Sequence, residues 1–140
     1  MRVPAIAASI LSIAIALTCF APPPHAQSPT PVTGAPTVKR TPLQKFDVTG
    51  TSYETIIGIA ELAAESAVGR HTHFGFESGY LLEGELTLMI DGQPPKTLKA
   101  GDSYYVPAGV AHDAKSGSKS AKVIATYVVE KGKAFATPAK

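Results

Sequence analysis

Residues 71–84, HTHFGFESGYLLEG, and residues 101–112, GDSYYVPAGVAH, are the two stretches on which the reading of this chain turns. His71 and His73 stand two apart. On an extended strand alternate side chains share one face, and a rise of about 3.3 Å per residue puts the two Cα atoms about 7 Å apart. Both imidazoles then reach a common ion at about 2.1 Å. Glu77 keeps the even spacing if the strand continues through Phe74-Gly75-Phe76. Its carboxylate supplies the negative charge that neutral imidazoles lack. His112 is distant in sequence and must come from another strand. Gly101 suits a tight turn, and Pro107-Ala108-Gly109 suits a second reversal, with Pro fixing φ and Gly free to take φ > 0. The chain is then expected to return antiparallel and deliver His112 to the interior.

The surrounding segments read as β-structure. Leu86–Ile90 is a short strand closed by Asp91-Gly92, a strong hairpin signal. Pro94-Pro95 forbids a helix directly after it. Lys96–Lys99 and Ser103–Val106 are two further strands around Ala100-Gly101-Asp102, where Asp102 reads as a turn cap. Ala121–Val129 is β-branched-rich and apolar on both faces. The apolar spacing of Tyr53–Ala64 would also suit a helix, but Ile56, Ile57 and Ile59 around Gly58 favour a strand. Many short strands with Gly and Pro turns predict an all-β sandwich or barrel.

The run of His71, His73, Glu77 and Gly84 resembles the first motif of the cupin family, and Gly101, Pro107, Gly109 and His112 resemble the second. Residues 85–100 form a short intermotif segment of the kind compact cupins have. The resemblance implies a jelly-roll-like barrel, the double-stranded β-helix. It also implies one divalent metal ion held by His71, His73, Glu77 and His112. The family often has Gly six residues before the first His, where this chain has Glu65, and Asn four after the last, where it has Ser116. Both places read as loop or turn. Tyr80, Tyr104 and Tyr105 could line a pocket and offer a phenol, and Phe74 and Phe76 could wall it or fill the core.

Composition narrows the remaining possibilities. The chain has 140 residues with 44% hydrophobic content, enough for one core. Its 13 basic and 11 acidic residues are scattered, so there is no electrostatic footprint for nucleic acid. The single cysteine, Cys19, lies in the N-terminal apolar stretch, which excludes an internal disulfide. Arg2 followed by apolar Ala5–Phe20 is too short to span a bilayer and suits a signal peptide. Cleavage is expected after Ala26, with no stable membrane insertion afterwards and a periplasmic or secreted product. Residues 27–40 read as a flexible linker, 41–131 as the barrel and 132–140 as a tail.

A set of three His and one Glu suits Fe(II), Mn(II), Ni(II) or Zn(II) and does not choose between them. It leaves open positions at which a small ligand could react. The expected function is a metal-dependent enzyme, of oxygenase or decarboxylase (lyase) type, acting on a small organic molecule. The alternatives are a non-catalytic module that binds a small molecule or metal, and an inert barrel. Folds of this kind host many chemistries, so the site has to decide. The doubly apolar strand Val123–Val129 predicts a homodimer. Cover from within the chain would come most simply from Leu43–Val48.

Overall fold

Burial alternates strictly over residues 75–82 and along Ala121–Glu130, which fixes each as a strand with one face in the core. The computed structural model describes residues 38–140, and the expected signal peptide and most of the expected linker lie outside them. The described strands are β1 (Val38–Asp47), β2 (Tyr53–Leu62), β3 (His71–Thr72), β4 (Gly75–Glu83), β5 (Glu85–Ile90), β6 (Lys96–Lys99), β7 (Ser103–Val106), β8 (His112–Ser116), β9 (Ala121–Glu130) and β10 (Thr137–Pro138). They form two five-stranded sheets, ordered β1-β2-β9-β4-β7 and β10-β3-β8-β5-β6. Each pairing within them is antiparallel. The described residues contain no helix, as the turn-rich sequence predicts.

The core lies between the sheets. Leu81, Leu98 and Val106 are its largest fully buried side chains, and burial of one Leu stabilises the fold by about 1.5–3 kcal/mol. From β9, Val123, Ala125, Tyr127 and Val129 all face inward. The Asp91-Gly92 turn joins β5 to β6, with the Gln93 N–H donating to the Ile90 carbonyl. The Lys99 N–H donates to Asp102 Oδ2 at 2.8 Å, so Asp102 does cap its turn. Gly101 and Gly109 take φ of +98° and +72°, the left-handed conformation their turns require.

Five local expectations differ from what is seen. His71, His73 and Glu77 do not share one continuous strand. The chain changes sheets at His73-Phe74, because Gly75 must pass hard against the backbone of Val128 and Val129 to join β9. The return after Pro107-Ala108-Gly109 likewise crosses over, since β7 pairs with β4 whereas β8 pairs with β5 and β3. Strand β1 starts at Val38, inside the segment read as linker, because backbone pairing with β2 needs few apolar side chains. Its Leu43–Asp47 part extends the sheet edge instead of covering β9. The tail, read as loop, adds β10 beside β3.

Candidate metal centre

The sheet crossing is what assembles the site. His71 on β3 is the direct cross-strand partner of His112 on β8, in one sheet. Glu77 on β4 lies opposite Tyr127 and Val106, in the other. His73 sits between the two at the crossing. The two sheets therefore aim their donors at one another across the interior. The Nε2 atoms of His71 and His73 are 3.1 Å apart, and Glu77 Oε2 is 3.2 Å from Nε2 of both His73 and His112. One donor atom from each of the four lies within 4.8 Å of the others, so this group could hold a metal ion. An ion at about 2.1 Å from each donor has neighbouring donors about 3.0–3.4 Å apart, which is the spacing found.

Each imidazole is turned by a backbone carbonyl. Nδ1 of His71 meets Gly69 O at 2.7 Å, Nδ1 of His73 meets Phe135 O at 2.5 Å, and Nδ1 of His112 meets Val110 O at 3.0 Å. A carbonyl only accepts, so Nδ1 carries the proton and a neutral ring presents its bare Nε2 to the centre. Three lone pairs and a carboxylate then face one point. Such a set repels itself unless a cation or protons lie among them. The donors fit a divalent ion, and carbonyls behind metal-binding imidazoles are the usual orienting partners.

Where protons lie among the donors in place of an ion, burial works against the charge of Glu77, but hydrogen bonds with His112, His73 and Tyr104 outweigh it and hold the carboxyl well below its ordinary range. The Tyr104 hydroxyl donates to Glu77 Oε1 at 2.6 Å, leaving Oε2 for the histidines. Burial and the adjacent Glu77 charge push the Tyr104 phenol up, so it stays a donor. Burial lowers His71 despite its bond to Gly69, and that ring is neutral at pH 7. Burial also opposes charge on His112, but its hydrogen bond with Glu77 overrides this and raises it.

Of the aromatic candidates only Tyr104 belongs to the site. Tyr80 and Tyr105 are exposed on the outer face of the sheet, whereas Phe74 and Phe76, also exposed, do not fill the core but wall a groove that reaches His73. Two contributors escaped the sequence reading. Tyr127, on the strand read only as apolar, lines the inner cavity and packs on the His73 ring. Phe135, in the tail, packs on both His73 and Tyr127 with centroids 5.1 and 4.7 Å away. Tyr127 could have been found from its parity with Val123 and Ala125, whereas Phe135 acts through its backbone and gives little signal. The cavity beside the donors is about 30 Å³, room for little more than a water-sized group.

The two departures from the family pattern have structural roles. Ser116 is not in a turn but ends β8, buried, with its Oγ donating to Ala63 O and accepting from the Ser66 N–H. Glu65 does lie in a turn, at φ +55°, the conformation glycine adopts most readily.

The fold resembles that of a cupin superfamily protein from Desulfitobacterium hafniense, with 21% identity, TM-score 0.58, and coverage of 75% of this chain and 94% of the other. It also resembles KdgF from Halomonas sp., with 17% identity, TM-score 0.57, and coverage of 70% and 84%. The DMSP lyase DddQ from Ruegeria pomeroyi matches at 20% identity and TM-score 0.56 over 60% of this chain. The matched region spans only 42% of that enzyme. At these identities the likeness establishes the fold. A search of curated proteins finds no match to the sequence. The family model described as "Cupin domain" matches residues 58–129, more than half of the chain and including all four donors, and the chain belongs to the cupin family.

Proposed function

We propose that this cupin binds one divalent metal ion through His71, His73, Glu77 and His112, and uses it as an enzyme of oxygenase or decarboxylase (lyase) type on a small organic molecule. One observation carries the metal reading: three Nδ1–carbonyl bonds turn three bare Nε2 atoms onto a single ionised carboxylate. When bound, the ion supplies positive charge that stabilises negative charge developing on the substrate. The chain's own groups hold and orient it. Tyr104 fixes Glu77, and Tyr127, whose phenol burial and the Glu77 charge push up, is a protonated donor facing the same cavity. Fe(II), Mn(II), Ni(II) and Zn(II) all suit the donor set.

The small inner cavity favours the second reading, a module that holds metal or a small ligand without turnover. Metal analysis of protein from its native compartment, followed by oxygen uptake and carbon dioxide release with small organic acids and phenols, separates the two. Turnover that requires the metal supports the enzyme. Full metal content with no turnover supports the binding module.

Export to the periplasm or beyond, by cleavage after Ala26, belongs to the same proposal. Among the described residues no helix is long and apolar enough to cross a membrane. An intact mass lacking the first 26 residues would support it, and a full-length mass in a membrane fraction would oppose it. A homodimer is also proposed. Phe76, Tyr80 and Tyr105 are exposed on the outer face of the sheet that contains β9. Val128, half-buried, shares that face through its pairing with Phe76. Light scattering at micromolar concentration tests the dimer, and Val128→Lys should yield monomers.

A further inference from the structure

Arg40 stands out among the cations of β1. Lys39 is ion-paired with Glu61 and Lys45 with Glu54. No carboxylate of the described residues lies within ion-pair distance of Arg40, and residues 1–37 contain no Asp or Glu. Its register explains where it points. Arg40 pairs with Ala60 and Ala60 with Val123, and both of these face the core. Arg40 thus starts on the inner side of an edge strand, at the mouth of the barrel.

Two cavities meet there. The inner one contains His71, Glu77 and His112. The outer one is a cleft of about 210 Å³ between β1–β2 and the C-terminal segment, walled by Pro42, Ile56, Ile59 and Phe135. Arg40, Ala60 and Tyr127 line both, so these three residues form the wall that the outer cleft shares with the cavity holding the donors. The larger groove around Phe74 and Phe76 does not serve this purpose. It reaches His73 alone of the four, and Phe135 covers that ring on the inner side.

A guanidinium is a planar fork of donors that matches a carboxylate in two parallel hydrogen bonds. With a dication bound, Glu77 is the one acidic residue lining the two cavities against the ion and Arg40 together, so their lining carries net positive charge. The cleft walls are apolar. We propose that this cleft takes a small monocarboxylate with a short apolar body. Arg40 holds the carboxylate and directs it toward the donors, while Pro42, Ile56 and Phe135 cover the body. The inference rests on the metal reading only for the second contact of the carboxylate, and Arg40 acts in the metal-free protein too.

The test is titration of ¹⁵N-labelled protein, metal-free and zinc-loaded, with pentanoate, pentan-1-ol and pentylamine, following Phe135 N–H and Arg40 Nε–H. Pentanoate should shift both signals and bind about tenfold or more tightly than the alcohol, as loss of a charged hydrogen bond implies. R40M should lose that preference, and R40K, charged but without the fork, should fall between. Equal binding of the three compounds, or R40M binding pentanoate as the wild type does, would overturn the proposal. Metal content measured on the same samples keeps the two ideas apart. A wild type that takes up none of Fe(II), Mn(II), Ni(II) and Zn(II) would overturn the metal reading, while a pentanoate preference in that same protein would still support Arg40.

Discussion

Tyr104 reaches Glu77 across the β4–β7 pair, donating a 2.6 Å hydrogen bond to Oε1, and it can do so only because Gly79 lies beneath its ring. A Cβ at Gly79 would sit 2.3 Å from the Tyr104 ring. The phenol, the carboxylate and the absent side chain form one positioning device. Without it Glu77 could turn either oxygen toward the histidines.

Tyr104→Phe is therefore expected to weaken metal binding by about 10–100-fold, the usual effect of losing a partner that orients a ligand. Gly79→Ala should do the same by pushing the ring aside. Competition against a chelator of known affinity reads both. Unchanged affinity in Tyr104→Phe would show that Glu77 is held by the histidines alone.

Removing residues 132–140 takes away the Phe135 carbonyl that turns His73, together with β10 beside β3. Only two residue pairs join those strands, so the barrel should remain folded by circular dichroism. Metal affinity should fall about 10–100-fold. A truncated protein that binds metal as tightly as the full chain would make the tail irrelevant to the site.

Glu65→Gly is expected to stabilise the protein. A left-handed conformation costs a residue with a Cβ about 1 kcal/mol or more, and the greater freedom of glycine in the unfolded chain returns part of that. The urea midpoint should rise, by up to about 1 kcal/mol of stability. A lower midpoint would mean that the Glu65 side chain stabilises the turn by a contact that outweighs its backbone.

Protons compete with metal for the same nitrogens. His112 is raised by its hydrogen bond with Glu77, so it begins to take up a proton above the ordinary value of 6.5. Metal affinity should accordingly start to fall above pH 6.5 as the solution is acidified. His71, lowered mainly by burial, gains its proton only below 6.5. In the metal-free protein the Glu77–His112 pair has the opposite sense at its upper edge. The Glu77 contribution to stability is full above its unfolded value near 4.5 and is lost as pH falls through its depressed folded value. The His112 contribution is full below 6.5 and is lost as pH rises through its raised value. In the metal-free protein Glu77→Gln should move proton uptake by His112 to lower pH, because it removes the charge that raises His112. Metal occupancy of the wild type followed from pH 8 to 4, with the His112 ring followed by NMR in the metal-free variant, tests this, and a His112 titration unmoved in the variant would assign the proton elsewhere.

The four donors were legible in the sequence because their types are rare in this chain and the turns between them are written in Gly and Pro. Three of its four histidines fall at the site. Strands β2, β5, β6, β7 and β9 were legible from alternation and turn chemistry, and β10 in the tail was not. What could not be read was how the strands divide between sheets. Even spacing fits both a continuous strand and one that crosses at Phe74, and only the close approach of Gly75 to β9 decides between them. Arg40 was hidden because its facing depends on the register of an edge strand interrupted by a bulge between Pro42 and Gln44. Phe135 was hidden because it orients His73 by a carbonyl, which every residue has.

The central claim is tested most directly by measuring the metal content of purified wild-type protein and of His73→Ala, by elemental mass spectrometry on protein of known concentration. About one divalent ion per chain in the wild type and a large loss in the variant is the predicted result. A wild type that holds no metal after exposure to Fe(II), Mn(II), Ni(II) and Zn(II), or a variant that keeps its full content, would contradict it.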